Sequence, residues 1–381
     1  LYSEDYPSRV TGWSFLGGSI SESYFYNDPY GHITGIESVF GTSTHTSPFQ
    51  YDGFGRIVRE DNTKLNIHRT YIYGVGGETG GPLGRMVRFG NDDMVYDERG
   101  RLTEFGSHWY RYDEYGNRVS KDADSYQWER GNLLSCLNSC RYTYDYRGIR
   151  SSKLDSNGKR HDYHYLGDKL VGEDVYSASG TLQTRLRFFY DKDGLCALRT
   201  IGSSGQAEDY AYVRNALGDI VGLYRDDGQS RSVVARYVYD AWGNHKVYGS
   251  NGTENTSSSF IGNVNPFRYR GYYFDSDTNL YYLMSRYYDP EIGQFISPDD
   301  FGNLAFDAIG GVNLYAYCFY NPVEMYDPTG QSPEWLKILM DVTVTLISIG
   351  VGIMVGVVTE NPLIGIAAAA MFNNVVNSVY Y

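Results

Sequence analysis

Cysteine is scarce in this 381-residue chain. The four that occur, Cys136, Cys140, Cys196 and Cys318, are too few and too scattered for a disulfide framework. Cys136 and Cys140 stand close together, but no second Cys or His pair follows at zinc spacing, so they read as structural or free thiols. Basic residues are in deficit too: 33 Lys and Arg against 46 Asp and Glu leave a net charge of −13. A nucleic-acid surface needs clustered Lys and Arg, and this composition argues against one. The glycine-rich run from Gly74 to Gly81 lacks the Gly-Lys-Ser/Thr of a phosphate loop. His161 and His164 would point to opposite faces of a strand, which speaks against a metal pair. No metal or cofactor site is read from the sequence. No signal peptide precedes Leu1, and since that residue is not Met the sequence reads as the C-terminal piece of a longer chain.

Tyrosine, by contrast, is abundant at 39 residues, and it recurs in one setting: Tyr-Asp, two variable residues, then Gly. The full pattern stands at Tyr51–Gly55, Tyr96–Gly100, Tyr112–Gly116, Tyr144–Gly148, Tyr190–Gly194 and Tyr239–Gly243. Successive tyrosines are separated by 45, 16, 32, 46 and 49 positions, close to multiples of 16. A fixed period sets the architecture before any local motif does. Each unit predicts a β-hairpin. Asp opens a type I turn by accepting backbone N–H bonds, and Gly takes the positive-φ position. The flanks Arg236-Tyr237-Val238-Tyr239 and Arg56-Ile57-Val58-Arg59 alternate apolar with polar, as in a sheet with one buried face. Weaker copies fill the period at Trp128–Asn132, Val213–Asp219 and Tyr165–Asp168. The plain reading of any single Tyr-Asp pair is that it builds the fold. The 44 Gly and 16% aromatic residues suit many short strands joined by tight turns, in an extracytoplasmic all-β protein.

Three segments follow from composition: residues 1–265, hairpin repeats ending in a polar loop; 266–330, a denser aromatic module; and 331–381, an apolar segment without His, Cys or Arg. The module runs through Asn265-Pro266-Phe267-Arg268-Tyr269-Arg270-Gly271, Leu280-Tyr281-Tyr282-Leu283 and Ser285-Arg286-Tyr287-Tyr288-Asp289-Pro290. It continues with Gly293-Gln294-Phe295-Ile296-Ser297-Pro298-Asp299 and Asn313-Leu314-Tyr315-Ala316-Tyr317, and closes on Asp327-Pro328-Thr329-Gly330. This closely resembles the RHS-repeat-associated core domain. The upstream repeats resemble the YD repeats of bacterial RHS proteins, wall-associated proteins, toxin-complex C subunits and teneurins, over residues from about 50 to 330.

The resemblance implies a strip of antiparallel hairpins wound into a shell, or cocoon, here a partial one, plugged at one end by the core domain. A variable C-terminal segment follows, commonly a toxin held inside. It also implies self-cleavage just beyond Asp-Pro-x-Gly by an aspartyl-protease-like mechanism. Carried over position by position, the candidates are Asp299, Asp327 and Arg286, with the cut near Gln331-Ser332. Two carboxylates brought together share a proton and act as acid and base, while Arg286 orients a carboxylate or stabilises an oxyanion. Departures from the family pattern are Asp300 for the usual Pro, Gln294 where Arg is common, Gln331 for an apolar residue, and an insertion from Phe301 to Val312. The bland alternative is that Asp299 and Asp327 only cap turns.

Ile338 to Val358 is almost wholly apolar and reads as helical. A transmembrane anchor, a membrane-inserting part of a toxin and a pre-toxin segment sheltered in the shell all remain open. No toxin domain with a catalytic cluster is visible after residue 331. Two functions compete. One is the shell of a secreted or surface-exposed polymorphic toxin, partnered by its own cargo, upstream repeats and an immunity protein. The other is a non-toxic surface or wall-associated adhesion protein. Family shells use more chain than this, so an open edge at Leu1 and self-association of the isolated piece are expected.

Overall fold

The computed structural model describes residues 10–15, 18–74, 84–192, 194–226, 231–303 and 313–335. These fall into two compact units. One contains the residues up to Ile149, Val238–Lys246 and those from Tyr272; the other contains Arg150–Tyr237 and Val247–Gly271.

In the first unit each strand from Gly12–Phe15 to Cys140–Tyr144 pairs antiparallel with the next in sequence. The second unit continues the same up-and-down order from Arg150–Leu154 to Arg231–Tyr239. The all-β expectation is met, and the alternating segments read from the sequence lie in Ile57–Asn62 and Arg231–Tyr239.

The turns show why Tyr-Asp-x-x-Gly repeats. At the first copy the Gly55 N–H donates to the Asp52 carbonyl at 3.0 Å and the Asp52 N–H to the Arg56 carbonyl at 2.9 Å. Asp52 Oδ1 accepts the N–H groups of Phe54 and Arg56. Gly55 has φ 77°, and the register slips between Gln50 and Tyr51. This is a type I turn followed by a left-handed glycine and a bulge. The same bonds recur at Asp97, Asp145 and Asp240. Asn215 builds the turn equally well with an amide oxygen, which explains the degenerate copy there. A further copy at Asp155–Gly158, without its tyrosine, was not recognised in the sequence.

Tyrosine is used for its hydroxyl as well as its ring. Tyr51, Tyr73, Tyr96 and Tyr144 donate to the carbonyls of Ile33, Ile57, Met86 and Leu134, at 2.7–2.8 Å. Tyr190 does the same to Leu170 in the second unit. Each ring fills space between hairpins, and its hydroxyl satisfies a backbone acceptor that phenylalanine would leave bare.

Residues 272–335 bring a small sheet, Tyr273–Asp275, Leu280–Tyr282, Tyr287–Asp289 and Gln294–Phe295, against the buried face of the first unit. Tyr281, Tyr288, Phe295 and Tyr317 are completely or almost completely buried. Tyr288 donates to the Trp242 carbonyl at 2.8 Å and Tyr315 to the Gly116 carbonyl at 2.7 Å. Arg118, fully buried, pairs with Asp289 at 2.7 Å. All four cysteines are buried thiols. Ile338 to Val358, most of the glycine-rich run and most of the Phe301–Val312 insertion lie outside the described residues. Among the described residues no helix is long and apolar enough to cross a membrane.

Candidate functional site

The three residues singled out by sequence meet in the first unit. Arg286 precedes the strand Tyr287–Asp289 and is buried, its guanidinium lying over the Phe295 ring with the carbon 3.7 Å from the centroid. Nη1 donates to the Leu314 carbonyl at 3.0 Å. Nη2 reaches Asp299 Oδ2 at 2.8 Å and Asp327 Oδ2 at 3.5 Å. One guanidinium nitrogen therefore bridges two carboxylates that lie 28 positions apart in sequence, as 299 and 327.

The two carboxylates are not equivalent. Asp299 is partly exposed; its N–H donates to the Leu314 carbonyl, and its Oδ1 accepts from the Asp300 N–H and from Asn303 Nδ2. Asp327 is fully buried. Its N–H donates to Tyr272 Oη at 2.8 Å, and Tyr272 Oη lies 3.1 Å from Tyr317 Oη. Its Oδ1 accepts the N–H groups of Thr329, Gly330, Gln331 and Ser332 at 2.8–3.3 Å. Burial pushes the Asp327 carboxyl above its ordinary range, against the opposing pull of Arg286 and the backbone donors. Burial likewise lowers the affinity of Arg286 for its proton. The arrangement is a pair of carboxylates of unequal burial, both reached by one arginine nitrogen.

The chain beyond Asp327 folds back onto the same arginine. The Gly330 carbonyl accepts from Arg286 Nε in a short contact and from Ser285 Oγ at 2.9 Å. Gly330 has φ 74°, and a Cβ there would lie 2.7 Å from the Leu283 carbonyl, so only glycine fits. Ser285 and the Gly330 carbonyl were not picked out by sequence. Their one signal was proximity to Arg286 and Asp327 in the chain.

The departures from the family pattern have local accounts. Gln294 is buried and donates from Nε2 to Tyr96 Oη at 2.9 Å, using a neutral amide between the module and a repeat tyrosine. Asp300 is exposed and caps a short turn through the Gly302 N–H. Gln331 and Ser332 are both exposed. Elsewhere, His161 pairs with Glu173 at 2.6 Å, and His164 lies 3.3 Å from Asp174.

The teneurin YD-shell family model matches residues 11–323. The chain belongs to the teneurin YD-shell family. The match covers both the hairpin strip and most of the aromatic module, as the YD repeats require. Among curated relatives, the tRNA nuclease WapA of Bacillus subtilis is 29% identical over 304 residues, 77% of this chain and 11% of WapA. The toxin protein Tse5 of Pseudomonas aeruginosa is 45% identical over 65 residues, 17% of this chain and 5% of Tse5. In fold, the chain matches the crystal structure of TcdB2-TccC3-TEV with a TM-score of 0.53 at 17% identity, covering 87% of this chain and 19% of that one. This YD-shell chain thus spans about a tenth of the length of WapA. It is an RHS/YD-repeat protein related to toxins.

Proposed function

We propose that this chain is the shell and core-domain part of a secreted or surface-delivered RHS-type toxin that encloses its own C-terminal segment and cuts the chain once, near Gln331. The observation that carries the reading is the buried Arg286 between Asp299 and Asp327, with the Gly330 carbonyl on its Nε. The unequal carboxyls supply an acid and a base, and the arginine supplies positive charge where an oxyanion would form. The kinship with WapA and Tse5 supports a toxin context, because both are named for nuclease or toxin activity. A cargo beyond the cut, its immunity protein and membrane contact by Ile338 to Val358 belong to this same reading. The domain division at residues 265 and 330 goes with it, the second boundary lying at the cut.

The test is Asp299→Asn and Asp327→Asn, each made in the full chain and followed by gel over time. Either substitution should slow fragment formation about 10²–10⁴-fold, the usual contribution of one acid–base group. Cutting at the parental rate in both would end the proposal. A second reading rests on the N–H groups that Asp327 gathers: the carboxylate caps a turn and the shell serves display or adhesion. It predicts no fragment from the parent.

A further inference from the structure

We propose that Glu60 and Asp240 form an alkaline-operated release. Loss of the Glu60 proton frees the Asp240–Asn244 turn from the hairpin Ile57–Tyr73 and loosens the core-module strands that rest on that turn. The proposal is independent of the cleavage reading.

Two carboxyls share a closed space here. Glu60 and Asp240 are 0% and 3% exposed. Glu60 Oε1 accepts the Ala241 N–H at 2.7 Å, which places the glutamate against the residue next to Asp240. Its Oε2 lies 2.7 Å from Tyr71 Oη. Across the sheet Glu60 stands opposite Arg69 on one side and the apolar Phe49 on the other. Arg69 nevertheless gives its Nη1 to Asp240 Oδ2, at 2.9 Å. One guanidinium therefore faces two carboxyls, and the charges balance while Glu60 keeps its proton. Burial, then Asp240, pushes Glu60 up to about 8, against the pull of Tyr71, Arg69 and the Ala241 N–H.

The turn that meets this glutamate is held from two directions. On the hairpin side, Asn62 Nδ2 donates to the Tyr239 carbonyl at 3.1 Å, and the buried Trp242 ring packs on Tyr71 and Phe89. On the module side, the Trp242 and Gly243 carbonyls accept from Tyr288 Oη and Tyr281 Oη, both at 2.8 Å. Asn244 Nδ2 donates to the Pro290 carbonyl at 2.8 Å. Gly293 lies so close to the Trp242 ring that a Cβ would come within 2.6 Å of it. A displacement of the turn is therefore felt by hairpin and module together.

The sign follows from where the second negative charge must go. Below the raised pKa the closed turn encloses a neutral Glu60. As pH rises through about 8, the closed turn has to bury a second carboxylate beside Asp240, whereas an opened turn puts it in water. Opening linked to one proton grows about tenfold per pH unit above that point.

The experiment is hydrogen exchange by mass spectrometry on the full chain from pH ~6 to ~9.5, expressed as protection relative to the unfolded chain so that the intrinsic pH dependence cancels. In the parent, Tyr239–Asn244 and Leu280–Asp289 should both lose protection with a midpoint near 8, about tenfold per pH unit beyond it. The strand Lys169–Tyr176 should keep its protection, marking the opening as local. Glu60→Gln, neutral throughout, should hold both segments closed across the range. Tyr71→Phe removes a donor that favours the ionised carboxylate, so its midpoint should move to higher pH. Protection independent of pH in the parent would overturn the proposal, as would an equal loss in Glu60→Gln. Loss at the turn alone, or equal loss in Lys169–Tyr176, would overturn it too. If Glu60→Gln fails to fold, the parental profile and the direction of the Tyr71→Phe shift still decide.

Discussion

Single side chains in this protein carry two kinds of chemistry, one in the Arg286 site and one beneath the repeat turns. In the proposed cleavage Asp327 is the acid, and burial holds its pKa above the usual carboxylate range. Its proton is present at low pH and is lost as pH rises through that raised value. Cleavage should therefore slow as pH rises through it, and a rate–pH profile of the full chain should show the descending limb. A rate that climbs steadily through neutral and alkaline pH would assign the acid elsewhere. Glu60 is the second case. It is fully buried, accepts from Tyr71 Oη and the Ala241 N–H, and lies near Asp240, which is itself paired with Arg69. Burial, reinforced by Asp240, pushes Glu60 up to about 8. A carboxyl raised on folding contributes stability that is complete below its unfolded pKa and is lost as pH rises to the folded one. Glu60→Gln, which stays neutral, should therefore gain stability relative to the parent between pH ~5 and ~8, by a few degrees in melting temperature. Parallel melting curves across that range would contradict the assignment.

At the scale of the hairpin, the repeat is held by a carboxylate-capped turn and a tyrosine hydroxyl reaching back to an earlier strand. Tyr96→Phe removes the bond to the Met86 carbonyl and leaves Gln294 Nε2 without its acceptor. It should cost about 1–3 kcal/mol in urea unfolding, more than an isolated hydroxyl would. Gly116→Ala should also destabilise, since φ is 92° and a Cβ would meet Tyr315 Oη at 2.6 Å. Much of this level was legible in the sequence, because Asp, Gly and the alternating flanks are local signals with local causes. The Asp155 copy escaped because its tyrosine is missing, although Asp and Gly alone suffice for the turn. Ser285 escaped for a different reason. No period or spacing marks a hydroxyl as facing a carbonyl 45 positions away. The meeting of Asp299, Arg286 and Asp327 was legible only through family resemblance. The Glu60, Arg69 and Asp240 cluster was not legible at all, because it joins strands more than 170 positions apart.

At the scale of the whole molecule, the Arg286 site proposed for cleavage lies at the end of the core module that follows the repeats. The chain just after that site is still held: Glu334–Trp335 pairs antiparallel with Met325–Tyr326. A single cut at Gln331 should therefore leave the C-terminal segment bound, co-eluting with the shell on gel filtration and separating only in denaturant. Immediate separation under native conditions would show that the pairing does not retain it. The most direct test of the central claim is the intact mass of the purified full chain beside its Asp327→Asn variant. Two fragments are expected from the parent, divided near Gln331, and one undivided mass from the variant. A parent that remains whole while correctly folded would contradict it, and Asp299 and Asp327 would then be turn residues in a shell built for display.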